Sequence, residues 1–225
     1  MKLKLRRSDI ILILGFWIIG CALLGTVGYF ILYPGIAPPP APSGKTIIAP
    51  QATVTVVFTQ VTAKTMQSAA QAKLSQWAAD AQLFAVTATW ENAALDSVGE
   101  PTFWTYRYYS PSRKRFFFIT VGADGSVMGT THGERIYDAP YPIPADDWVV
   151  DSPAAVNTWL NYGGIALVSA APNLQVVAQL QVNEPNAPLQ WTVAGYDKTT
   201  KMYHTVFIDA RSGKVTKITS SLQQQ

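Results

Sequence analysis

Three kinds of hydrophobic pattern follow one another along the chain. From Ile10 to Tyr33, "IILILGFWIIGCALLGTVGYFILY", apolar residues run on without a single charge. As a helix rising about 1.5 Å per residue, that run is long enough to cross a hydrocarbon core of about 30 Å. From Thr53 onward the pattern becomes an alternation of period two, the mark of strands with one buried face. The alternating stretches are Thr53–Gln60, Leu83–Glu91, Thr102–Tyr109, Arg115–Gly122, Leu174–Val182, Leu189–Tyr196 and Met202–Ala210. Two stretches depart from it. Thr65–Gln82 is rich in alanine, with Ala69, Ala72, Leu74, Trp77 and Ala78 mostly at helical spacing. "DSPAAVNTWLNY" offers Asp151 or Ser152 as N-cap and Pro153 in the first turn, with Gly163 and Gly164 to stop the helix.

These elements repeat. "WTYRYY" begins at Trp104 and "WTVAGY" at Trp191, and the downstream turns align Gly125 with Gly213. Each half then reads helix, strand, strand, strand, and short links between strands imply antiparallel meanders. The fold class expected is α+β: an N-terminal transmembrane helix followed by two repeated units, each a helix with three antiparallel strands. The boundaries are a basic stub (1–9), the apolar helix (10–33), a Pro-rich stalk (34–52), a first unit (53–136), a Pro-rich joint (137–150), a second unit (151–220) and a polar tail (221–225). Trp77 and Trp159 are expected to fill the helix–sheet seam, with Trp104 and Trp191 packing from the sheet side, because large aromatics dominate the burial of a small core.

Charge refines the picture of the N-terminus. Lys2, Lys4, Arg6 and Arg7, opposed by Asp9, account for the whole formal charge of +3. Basic residues before an apolar span put Met1 in the cytoplasm and the rest of the chain outside it, as a single-pass signal anchor in the bilayer. A rival reading takes "IIGC" as a lipobox, with leader cleavage before Cys21 and lipid on that cysteine; the apolar continuation "ALLGTVGYFILY" favours the uncleaved helix. "PGIAPPPAPSGK" is then a semi-rigid polyproline spacer.

The remaining residues are electrically neutral, which leaves no footprint for nucleic acid. "SRKR", Ser112–Arg115, reads as a solvated hairpin tip. A lone cysteine and two separated histidines, His132 and His204, give no basis for a disulfide or a zinc site. Neither a metal nor another cofactor is expected.

The stretch with the most reactive side chains is "VFIDARSGKVTK", with Asp209, Arg211, Ser212 and Lys214 around Gly213. Asp209 can accept hydrogen bonds from turn amides, and Gly213 can take a positive φ, so the cluster reads as a hairpin turn. The upstream copy keeps Gly125 and Val127 but has Val121, Ala123, Asp124 and Ser126 instead. No P-loop, GxSxG, HExxH or SxxK motif is present. Asp146, Asp147, Asp151, Glu134 and Asp138 gather around the joint, where they read as solvated acids rather than an acid–base pair. No catalytic residue is therefore expected, and a hydrolase is the weaker alternative.

A strand ending in "FIDARSGKV", after a strand with "WTV" and a helix, resembles the PepSY domain of bacterial peptidase propeptides and membrane-tethered envelope proteins. The likeness is strongest over Asp151–Ile218 and carries into the first half through the repeat, where Val121 replaces the acid; a cystatin-like fold uses nearly the same elements. The resemblance implies a helix on a small antiparallel sheet and a non-catalytic, extracytoplasmic binding or regulatory role, modulating an envelope peptidase. The alternative is an accessory subunit of a membrane complex. Arg107, Tyr109, Tyr196 and Lys198 are candidate partner contacts.

Overall fold

The computed structural model of the chain describes Thr55, residues 61–98 and residues 100–222. The chain divides into two compact units, Met1–Gly44 and Lys45–Gln225, and every described residue belongs to the second.

Helix α1, Ala63–Leu74, starts at a capping box. The Thr62 hydroxyl accepts from the Thr65 amide at 3.2 Å, and the Thr62 amide donates to the Thr65 hydroxyl at 2.9 Å. Its buried residues are Ala63 and Ala70, small enough to let the helix lie close on the sheet. The helix stops at Ser75, before the end the alanine-rich pattern suggested, and Trp77 falls in the following turn. Strands β1 (Gln82–Trp90), β2 (Phe103–Ser110), β3 (Arg115–Gly122) and β4 (Val127–Thr131) follow.

A 3₁₀ turn, Ala145–Asp147, leads to α2, Ser152–Trp159, with Asp151 as N-cap and Pro153 at its start. Gly163, at φ +124°, kinks the chain within the π-helical segment Leu160–Gly164, and the helix resumes as α3, Ile165–Ala170. Strands β5 (Leu174–Gln181), β6 (Gln190–Asp197), β7 (Tyr203–Asp209) and β8 (Val215–Ser220) complete the fold.

The eight strands of the described residues form one antiparallel sheet in the order β4-β3-β2-β1-β5-β6-β7-β8. Its centre is the β1–β5 ladder, running from Ala85↔Gln181 to Trp90↔Val176. One sheet face carries the buried alternate residues, among them Val86, Trp104, Tyr106, Leu180, Trp191 and Ile208, and packs against the helices. At Gly195 that packing is so close that a Cβ would lie 2.7 Å from Leu167 Cδ2 and 2.8 Å from Trp159 Cζ2. The other face presents half-buried Thr87, Thr89, Thr105, Gln179, Thr192 and Thr205.

This architecture corrects the expected fold class. Repeated units of one helix and three strands are not what the chain builds. Among the described residues each half contributes four strands, because Val127–Thr131 and Val215–Ser220 continue the meander beyond the glycine turns. The halves are not separate units either, since β1 and β5 pair edge to edge and merge them over a single core. The physical reason is that an isolated meander leaves an unpaired donor and acceptor row on each outer strand. Joining β1 to β5 satisfies two of those rows at once.

The single-pass anchor is also corrected. Among the described residues no helix is long and apolar enough to cross a membrane. The structure therefore gives no support to a signal anchor, to the N-in orientation or to an extracytoplasmic placement. Ile10–Tyr33, Cys21 and the Pro-rich stretch lie outside the described residues, as does most of Thr53–Gln60. Thr55 itself is exposed and in neither helix nor strand.

Candidate functional site

The polar quartet after β7 is a built turn. Asp209 Oδ1 accepts from the Ser212 amide at 2.7 Å, the Ser212 hydroxyl at 2.7 Å and the Arg211 amide at 3.1 Å. Gly213 takes φ +75°, which a side chain would strain. The Ser212 hydroxyl, followed by the turn amides, holds the Asp209 carboxyl below the usual carboxylate range. Arg211 reaches Asp147 at 3.4 Å on the exposed side. The Ser212 Oγ donates to an Asp209 carboxylate oxygen already engaged by two amides. The β3–β4 turn is built alike, with Gly125 at φ +82° and Asp124 Oδ1 accepting from the Ser126 amide at 2.9 Å.

The tryptophans have matching structural work. Trp104 Nε1 donates to the Val61 carbonyl at 3.0 Å, and Trp191 Nε1 donates to the Val150 carbonyl at 2.8 Å. Each acceptor directly precedes the N-cap of a helix, so each indole pins a helix entry to the sheet. The two rings meet edge to face at 6.3 Å, with Trp90 and Trp148 continuing the row on either side. Trp159 Nε1 donates to the His204 carbonyl at 3.1 Å. Trp77 stacks on Phe117 at 4.8 Å, with the Arg113 guanidinium 5.2 Å from its ring.

The acids near the joint do not converge on a common centre. Asp147 faces Arg211, and Asp151 Oδ1 accepts from the Ser152 amide at 2.7 Å and the Lys64 amide at 3.2 Å. Among the described residues no three His, Cys, Asp or Glu side chains form a metal-holding group. His132 lies against Phe116 and Phe118, whereas His204 is buried beneath Gly163.

Sequence reasoning missed two polar contacts. Tyr106 donates its hydroxyl to the Ala63 carbonyl at 2.6 Å. Asp80 accepts from the Ser110 hydroxyl and the Ser112 amide, each at 2.7 Å, which bends the "SRKR" turn into place. Neither has a sequence signal, because the partners meet only after the sheet forms.

Among the described residues, no helix covers the other face of the sheet. Its centre is threonine and glutamine, with Gln179 donating to Gln181 at 2.5 Å. Towards β3 it becomes aromatic, with Phe84, Phe116, Phe118 and His132 in successive ring contact. Phe103 is 41% exposed. Arg107 stands half-buried on this face, across from Ala85 and Phe118, and burial lowers its pKa. Of the other proposed contacts, Tyr196 is half-buried on the same face and Lys198 is exposed. Tyr109 is buried, its hydroxyl donating to the Ile136 carbonyl at 3.2 Å.

No protein-family model matches the chain, and no curated protein matches it. Among solved structures, a candidate lipoprotein from Clostridium difficile 630 is similar at 12% identity, covering 72% of this chain and 94% of that one with a TM-score of 0.46.

Proposed function

We propose that the folded part is a non-catalytic binding module that holds another protein on the helix-free face of its sheet. The observation that carries this reading is the chemistry of that face. Thr89, Thr105, Gln179, Thr192 and Thr205 present hydroxyls and amides with little charge to desolvate, and the Phe84–Phe116–Phe118 rings supply an apolar anchor beside them. Aromatic anchors within a polar surround are the usual source of interface affinity. The carboxylates of Asp80, Asp151 and Asp209 support it from another side, being engaged by backbone amides. A peptidase is the partner class suggested by the PepSY resemblance.

The test is site-specific photocrosslinking in cells that make the full chain. A photoreactive residue at Gln179 or Thr192 should give a discrete adduct, while the same residue at exposed Gln71 on α1 should not. Equal labelling from both positions, or none from the sheet, would refute the reading. A second arm measures peptide hydrolysis by the captured protein with and without this chain, and unchanged turnover would remove the peptidase assignment.

A further inference from the structure

The two edges of the sheet are not alike. Edge strand β8 is blunted: its ladder with β7 is irregular at Phe207/Ile208, and Lys217 sits on it. Among the described residues, edge strand β4 has none of these protections. Val127–Thr131 carries no charge and no proline, pairs with β3 over five residues without a bulge, and leaves Met128 69% exposed. Charges, prolines and bulges are the features that keep an edge from pairing with another strand.

The direction of the free groups follows from the ladder. The Gly122 amide donates to the Ser126 carbonyl at 2.8 Å, and the His132 amide donates to the Phe116 carbonyl at 2.9 Å. Bonded and non-bonded pairs alternate in an antiparallel ladder. Met128 and Thr130 therefore bond inward to β3, while Val127, Gly129 and Thr131 turn their N–H and C=O groups outward. That outward row is symmetric about Gly129.

We propose that β4 pairs antiparallel with β4 of a second copy, on a two-fold axis at Gly129. Val127 then faces Thr131 of the partner chain, Gly129 faces its counterpart, and every outward donor meets an acceptor. A second copy fits because the segment is its own complement in register and places no like charges opposite one another. The glycine leaves no side chain on the two-fold axis itself. Across the seam Met128 lies opposite Thr130 of the other copy. Five residues bury far less than the ~1,200 Å² at the low end of stable interfaces, so this dimer dissociates readily and fills at high chain concentration. It uses the edge rather than the sheet face, and so stands apart from the partner site proposed above.

The experiment uses the full chain in a Cys21→Ser background. Met128→Cys and Thr130→Cys chains are oxidised separately and as a mixture. A non-bonded antiparallel pair brings Cα atoms to about 4.5 Å, within disulfide range. The mixture should give a disulfide-linked heterodimer at least several-fold more abundant than either homodimer. Sedimentation should show a concentration-dependent dimer that the Met128→Lys/Thr130→Lys chain loses with its circular dichroism unchanged. Cross-linking of Met128→Cys alone equal to that of the mixture would overturn the register. A monomer at all concentrations would overturn the dimer, and either result leaves the sheet-face reading untouched.

Discussion

Ser152→Ala tests whether the two halves share one folded unit. Ser152 opens α2, yet its hydroxyl accepts from the Ala63 amide of α1 at 3.0 Å, and both residues are fully buried. Asp151 beside it accepts from the Lys64 amide, and the Lys64 ammonium donates to the Val149 carbonyl at 3.0 Å. The N-termini of α1 and α2 are thus held together by groups from opposite halves of the chain. Removing the Ser152 hydroxyl leaves the Ala63 N–H unpaired in the interior, which costs about 1–3 kcal/mol. With a urea dependence of about 2 kcal/mol per molar, the unfolding midpoint should fall by about 0.5–1.5 M. Urea titration followed by both tryptophan fluorescence and far-ultraviolet circular dichroism should show one transition, displaced as a whole. An unmoved midpoint would refute the bond. Two transitions with only one displaced would refute the single core.

Two further outcomes follow from the core. Burial pushes the His204 imidazole down to about 4 from its usual 6.5; the Tyr162 backbone opposes this without making a hydrogen bond of normal geometry. A base with a depressed folded pKa is protonated first in the unfolded chain, so stability is full above about pH 6.5 and falls as pH drops towards 4, by about 3 kcal/mol. His204→Leu should flatten that part of the profile in urea midpoints taken at pH 7 and 4.5; an unchanged slope would show that another group carries it. Gly195→Ala should cost about 1–3 kcal/mol in thermal unfolding, because the added methyl would lie 2.8 Å from the Trp159 ring and 2.7 Å from Leu167, and these buried side chains must shift to admit it.

Local signals located much of the secondary structure. Six of the alternating stretches lie within a residue or two of β1, β2, β3, β5, β6 and β7. Period-two alternation needs only a buried face, whatever that face meets. The Asp209 turn was legible for the same reason, since an aspartate, a serine and a glycine in sequence can satisfy one another's backbone groups locally. The short strands β4 and β8 were not, because five or six residues after a turn carry too little pattern to distinguish a strand from a loop. The end of α1 was not, because alanine tolerates a helix well past the point where the sheet stops covering it.

The sequence by itself determined where alternation and helical spacing occur, which glycines must turn, and that Trp104 and Trp191 occupy matching segments. The tertiary structure alone decided that β1 meets β5, that the two indoles share one core, and that Ser152 caps a helix in the other half of the chain. Strand order and long-range caps depend on edges satisfying one another across the whole chain. No window of neighbouring residues contains that information.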